Sequence, residues 1–158
     1  MLTIRPATRD DVSEIKRLIE ELAEFEHLPA GVTEDSLARD GFGPQPKFRV
    51  LMAEWQNRPA GYAFFFAFYS TFEGRAGIYL EDVYVRPEFR GQGIGKAFFA
   101  RIVELARQEN CFAVRWQVLD WNQPAIEFYE KLGCKFLHEW KTAQLEEEFF
   151  QPVIEGGD

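Results

Sequence analysis

Cysteine is nearly missing from this chain: Cys111 and Cys134 are the only two in 158 residues. No cluster of histidines stands near either. That excludes a thiolate zinc site and a disulfide scaffold, so two free thiols and no bound metal are expected. A basic excess is missing too. Eighteen Lys and Arg face 26 Asp and Glu, for a net charge of −8. A nucleic-acid partner rewards a basic stripe, so none is expected; cationic partners are favoured instead. No apolar run reaches about 18 residues, so no membrane span is expected. The first residues, MLTIRPATRDD, lack an apolar signal core. Cytoplasmic residence is the expectation that follows.

What is present is a chain rich enough in apolar residues to fold: 46% hydrophobic, with 16 Phe, 5 Tyr and 4 Trp. The length suits one domain, expected over residues 1–154, with residues 155–158 as a frayed tail. No repeat or linker interrupts it.

One stretch, Ile78 to Phe99, organises the rest. Ile78, Leu80, Val83, Tyr84 and Val85 suit a buried strand. Arg86-Pro87 ends it, because proline has no N–H for a ladder. Arg90-Gly91-Gln92-Gly93-Ile94-Gly95 follows, with Lys96 beside it. Ile94, Ala97, Phe98, Ile102, Leu105 and Ala106 then recur at helical spacing, marking one apolar face over residues 93 to 108. Glycines between a strand and a helix leave backbone N–H groups bare, and the helix dipole adds positive charge. That is a site for an anion, most simply a phosphate or pyrophosphate. Arg86, Arg90 and Lys96 are the nearby cations.

Two phosphate-binding patterns fail here. A Walker A loop needs Gly where Arg90 stands and Ser or Thr where Ala97 stands. A dinucleotide fingerprint read from Gly91 needs glycine at Lys96.

The remaining chain reads in order. Leu2 to Arg5 is a short strand. Asp10 or Asp11 caps a helix carrying Val12, Ile15, Leu18, Ile19 and Leu22, which ends near Phe25 before Pro29. Residues 29–47 are mostly loop, with one short helix opening at Thr33-Glu34-Asp35-Ser36-Leu37. Phe48 to Trp55 and Gly61 to Tyr69 are strands; the second is apolar on both faces and so central. Phe112 to Leu119 is another strand. Pro124 to Leu132 is a helix stopped by Gly133. Lys135 to Trp140 and Ala143 to Phe150 are expected to form a final hairpin. The whole is one α/β domain with a mixed sheet.

Arg-x-x-Gly-x-Gly after a strand resembles the coenzyme loop of the GNAT superfamily of N-acetyltransferases. The resemblance spans nearly the whole chain. It is nearest to the diamine and thialysine branch, through Ile4-Arg5-Pro6-Ala7-Thr8, Asp40-Gly41-Phe42-Gly43, Tyr79-Leu80-Glu81-Asp82 and Leu119-Asp120-Trp121-Asn122-Gln123. It implies a mostly antiparallel mixed sheet, helices on both faces, and a splayed strand pair that holds acetyl-CoA. It also implies that Arg90, Gly91, Gln92, Gly93, Ile94, Gly95 and Lys96 hold the pyrophosphate, and that Val83, Tyr84 and Val85 pair with the pantetheine arm. Asn122 and Pro124 would contact that arm, although Asn before Gln-Pro is equally a helix cap. Tyr129 would protonate the leaving thiolate, its alternative being a core aromatic. Homodimers are usual in the branch.

The resemblance implies acetylation of a small primary amine. An alkyl ammonium near pKa ~10.4 must lose a proton before it attacks. Glu81 is the candidate acceptor of that proton. Glu26, Asp82 and Trp121 are candidate substrate contacts. In a regular strand Glu81 and Asp82 point to opposite faces, so both serve one amine only if the strand is distorted. Ser70-Thr71-Phe72-Glu73 stands where the polyamine branch has Asp and Trp, and the chain from Lys135 onward matches poorly. The competing class is an acyl-CoA-binding sensor without catalysis, or an acetyltransferase for a protein N-terminus or an aminoglycoside.

Overall fold

The computed structural model describes residues 1–156. Its contacts divide the chain into two units, Met1–Gln117 and the part from Val118 onward.

The first unit is a five-stranded sheet in the order β1-β2-β3-β4-β5. The strands are β1 (Leu2–Pro6), β2 (Arg49–Trp55), β3 (Arg58–Ser70), β4 (Arg75–Val85) and β5 (Val114–Trp116). The first four pair antiparallel in chain order, and β5 joins β4 in parallel. β3 is the middle strand, as its two-sided apolar pattern requires.

Helix α1 (Val12–Phe25) and helix α2 (Glu34–Phe42) share a core with one sheet face. Val12, Ile15, Leu18 and Leu37 pack there with Val50, Met52, Tyr62 and Tyr84. Residues of the other parity, Leu51, Ala63, Phe65 and Leu80, are equally buried on the opposite face. Helix α3 (Ile94–Gln108), which contacts β1, β2, β4 and β5, buries Phe98 and Ile102.

Several boundaries differ from the sequence reading. Asp11 is the N-cap of α1, as expected, but its side chain bonds no helix N–H; instead it accepts from the Thr8 N–H at 2.7 Å, where Thr8 caps a 3-10 turn at Arg9–Asp11 that precedes the helix. Asp11 is fixed from a second side by Arg5, at 2.8 and 2.9 Å. α2 starts after Thr33, where Thr33 and Ser36 cap each other's backbone N–H groups at 2.9 and 3.0 Å, and it runs to Phe42 with Gly43 as its C-cap. β5 covers only Val114–Trp116 of the expected Phe112 to Leu119.

The second unit has helix α4 (Gln123–Lys131), a 3-10 turn at Glu147–Phe149 and helix α5 (Phe150–Ile154). The hairpin expected over residues 135 to 150 is not formed, and no strand lies in this unit among the described residues. Glu147 and Glu148 favour a helical first turn, and Pro152 has no N–H for a ladder. Of the expected frayed tail, Glu155 and Gly156 close α5 through their N–H groups, at 3.0 and 3.1 Å. Residues 157–158 lie outside the described residues. Among the described residues no helix is long and apolar enough to cross a membrane. Cys111 and Cys134 are free and half-buried, and burial pushes both thiols up.

At Gly61, β3 lies tight against β4: a Cβ there would overlap the Tyr84 carbonyl oxygen. Gly61→Ala should therefore destabilise the fold by on the order of 2 kcal/mol, as overpacking against immovable backbone does. An unchanged urea midpoint would show that the two strands can part freely.

Candidate active site

The candidate site begins with β4. Its ladder to β3 runs the full length, from Arg75 to Val85. Its ladder to β5 stops at the pair Leu80 and Trp116. Beyond that point Glu81 to Val85 has no strand on its second side among the described residues. An open strand edge offers N–H and C=O groups to an extended ligand. This is where Val83, Tyr84 and Val85 stand.

The register of β4 also slips by one residue. Phe64 faces Asp82, while Phe65 faces Leu80, so Glu81 is the extra residue of a β-bulge. The bulge changes which face each side chain takes. Counting back from Tyr84, which lies opposite Tyr62, Asp82 falls on the α1 face. Counting forward from Tyr79, which lies opposite Phe66, Glu81 falls on the same face. The strand is distorted at the one point where both carboxylates need it to be.

Glu26 caps the C-terminal end of α1, the helix that packs on this face. Burial pushes its carboxyl up, and the charge of Glu81 pushes it further. Asp82 is half-buried and rises from 3.8 to about 6, first through burial and then through Glu81 and Glu26. The buried Tyr62 hydroxyl donates to Asp82 Oδ2 at 2.8 Å. Three carboxylates thus act on one another, and none has a salt bridge among the described residues. Such a face suits a cation.

The glycine loop follows the open edge. A 3-10 turn at Pro87–Phe89 leads out of β4, and Phe89 is buried. Gly91 and Gly93 both have φ of +80°, the left-handed region that side chains avoid. Gly93 is the N-cap of α3, and no side chain caps that helix. Its first N–H groups are left for a ligand, and the dipole favours an anion. Gln92 and Lys96 are exposed and Gly95 lies in the first helical turn. Ile94 is different: its side chain is 2% exposed and anchors the helix in the core, so only its backbone is offered.

The three nearby cations divide. Arg86 is not available to an anion. It binds Glu21 at 2.8 Å and Glu14 at 2.7 Å, and donates to the Pro59 carbonyl at 3.0 Å. It ties the exit of β4 to α1 and β3. Arg90 donates to the Val85 carbonyl at 2.8 Å and lies over the rings of Phe25 and Tyr84, yet remains exposed. Lys96 projects from the helix start.

In the second unit Asn122 is the N-cap of α4, its side-chain oxygen accepting from the Ala125 N–H at 3.4 Å. Pro124 occupies the first turn. The N–H of Gln123 donates to the Trp121 carbonyl at 2.9 Å in the turn before the helix, and Trp121 is half exposed. Tyr129 lies on α4 with its ring edge-on to Phe128, centroids 5.7 Å apart. Sequence reasoning missed Tyr62. Its signal was a hydroxyl at the head of a run that is otherwise Ala and Phe as far as Phe68.

A model of the acetyltransferase (GNAT) family matches residues 12–134. The chain belongs to that family and is an acetyltransferase. The thialysine N-epsilon-acetyltransferase of Sus scrofa is 41% identical over 158 residues, covering 92% of each chain. Spermidine/spermine N(1)-acetyltransferase-like protein 1 of Homo sapiens is 37% identical over 83% of this chain and 20% of its own length. Among solved structures, an integron cassette protein from the mobile metagenome of V. cholerae superposes with a TM-score of 0.82, over 98% of both chains at 19% identity. That likeness concerns the fold alone.

The Asp82 carboxyl holds its proton more tightly folded than unfolded, so ionising it costs stability. Relative to Asp82→Asn, the stability of the parent should be level below pH ~4 and fall by on the order of 2 kcal/mol as pH rises through about 6. Parallel urea titrations across that range check it, and a pH-independent difference would remove burial as the cause.

Proposed function

We propose that this protein moves the acetyl group of acetyl-CoA to the primary amine of a small cationic substrate, by direct attack. The amine is thialysine-like, lysine-like or a diamine. The observation that supports this most is the bulge at Glu81. It sets Glu81 and Asp82 on one face, on a strand whose free edge leads straight into an uncapped helix start. A site for a cation thus adjoins a site for an anion.

Acetyl-CoA, when bound, supplies the activated acyl thioester. In this reading the amides from Gly91 to Lys96 hold its pyrophosphate, with Arg90 and Lys96 adding charge. The open edge at Val83, Tyr84 and Val85 pairs with the pantetheine arm, and Asn122 and Pro124 contact it. Glu26, Asp82 and Trp121 hold the cationic substrate. Glu81 takes the ammonium proton, directly or through water. The amine nitrogen then bonds to the acetyl carbon as the carbon–sulfur bond breaks. A main-chain N–H near Tyr84 or Val85 steadies the charge on the carbonyl oxygen. Tyr129 protonates the departing thiolate. The reading needs residues 1–154 to work as one domain, because Asn122 and Tyr129 stand in the second unit.

Thialysine and lysine-like amines are preferred to spermine or spermidine. The relatives named thialysine N-epsilon-acetyltransferase cover most of this chain. Ser70-Thr71-Phe72-Glu73 stands where the polyamine branch has Asp and Trp, and it has neither residue. We also place the enzyme in the cytoplasm, in keeping with its free thiols. Free-thiol release from acetyl-CoA should depend on added thialysine. Gly95→Asp should raise the KM for acetyl-CoA about 10-fold or more by setting a charge at the helix start. Tyr129→Phe should slow turnover about 10²-fold, and Glu81→Gln should slow it most near neutral pH. Thiol release indifferent to thialysine, lysine and diamines would overturn the reading.

We propose further that the protein is a homodimer. Tyr69, Phe72, Trp140, Phe149 and Phe150 are more than half exposed, a heavy apolar load for a monomer. Light scattering should give twice 18.4 kDa at micromolar concentration, and a monomeric mass there would refute the dimer.

A further inference from the structure

Tyr62 sits on the middle strand and is 0% exposed. Its neighbours along β3 are Ala63, Phe64, Phe65 and Phe66, none with a polar atom in its side chain. Phenylalanine would fill the same volume, so packing alone does not call for the hydroxyl. A buried phenol needs a partner, and this one has Asp82 Oδ2 at 2.8 Å. Burial and the surrounding carboxylates push the Tyr62 hydroxyl far up, so it stays protonated and donates. Asp82 in turn feels Glu81 from its own strand and Glu26 from α1, and among the described residues it has no salt bridge. One carboxylate oxygen is therefore held from inside the sheet. The other is not bonded by Tyr62.

We propose that Tyr62 is a positioning residue of the amine site: its buried hydroxyl fixes one oxygen of Asp82 and aims the other at the substrate ammonium. This rests on the reading of the site as an amine acetyltransferase. Tyr62 touches no substrate; it acts through Asp82. The chemistry of the transfer is unchanged by it, so its effect falls on amine binding.

Two consequences separate this from a merely structural role. Removing the hydroxyl frees the Asp82 carboxylate to turn, so the KM for the amine rises while kcat and the KM for acetyl-CoA hold. The Tyr62 hydrogen bond also lowers the Asp82 carboxyl against the push of burial. Without it the carboxylate forms at higher pH, and the acid limb of kcat/KM moves up from about 6.

The test is steady-state kinetics with thialysine and acetyl-CoA between pH 5.5 and 9, in about half-unit steps, on the parent, Tyr62→Phe and Asp82→Asn. Tyr62→Phe should raise the KM for thialysine about 10-fold near pH 7.5, the scale of one hydrogen bond to a charged group, with kcat within about threefold. Its acid limb should move to higher pH. Asp82→Asn should abolish that limb and raise the same KM further. A parent-like amine KM and pH profile in Tyr62→Phe would overturn the proposal. So would equal losses in both KM values together with a lowered Tm, which mark a packing role. Should Tyr62→Phe fail to fold, Asp82→Asn decides, since Asn still accepts from Tyr62; an unchanged amine KM there overturns it. A parent with no amine-dependent thiol release overturns the acetyltransfer reading and this proposal with it, whereas an active parent beside an indifferent Tyr62→Phe overturns this proposal alone.

Discussion

One extra residue in β4 is the constraint on which the candidate site depends. A regular strand carries neighbouring side chains to opposite faces. With that geometry Glu81 and Asp82 would be separated by the thickness of the sheet. The bulge between Leu80 and Asp82 shifts the parity once and brings both to the face of Tyr62 and Phe64. The ladder to β3 survives on either side of it, so the sheet keeps its core while the side-chain parity of the strand shifts locally. The bulge falls beside the pair Leu80 and Trp116, where the parallel partner β5 stops.

The same strand exit is held by charge. Arg86 joins Glu14 and Glu21 of α1 to the Pro59 carbonyl of β3. Its side chain is 15% exposed, so these bonds form in partly dry surroundings where loss of one partner is expensive. With Arg86 committed, the glycine loop draws its positive character from backbone amides and the helix dipole, with Arg90 and Lys96 at its rim. Local positive character at the loop is thus compatible with a chain of net charge −8. The acid excess is turned elsewhere, part of it to the face of Glu26, Glu81 and Asp82. One strand therefore leads at its end into a helix start with no side-chain cap and carries, along its length, a face of carboxylates without salt bridges among the described residues.

How much could be read without coordinates depends on the range of the pattern. The strand, the glycine loop and α3 were legible over Ile78 to Gln108, because alternation, proline and helical spacing are local signals. β3 as the middle strand followed from its two-sided apolar run. Asn122 as a cap followed from Asn ahead of proline. The same local logic failed after Lys135. Apolar residues there suited strands, but a strand needs a ladder partner, and partners are not written in a segment's own sequence. The helix at Phe150–Ile154 formed instead.

The sequence by itself determined the family, the glycine turn between β4 and α3, and the identities of Glu26, Glu81 and Asp82 as candidate acids. The loop rests on residues close together in the chain, and the acids on the family resemblance together with the chemistry of a carboxylate beside an ammonium. Only the tertiary structure decided that the three acids meet. It also decided that Tyr62 holds Asp82 across 20 positions of sequence and that Arg86 serves α1 rather than a ligand. The reason is physical. Side-chain direction in a strand is set by parity, parity is reset by a bulge, and a bulge exists only in the register between two strands.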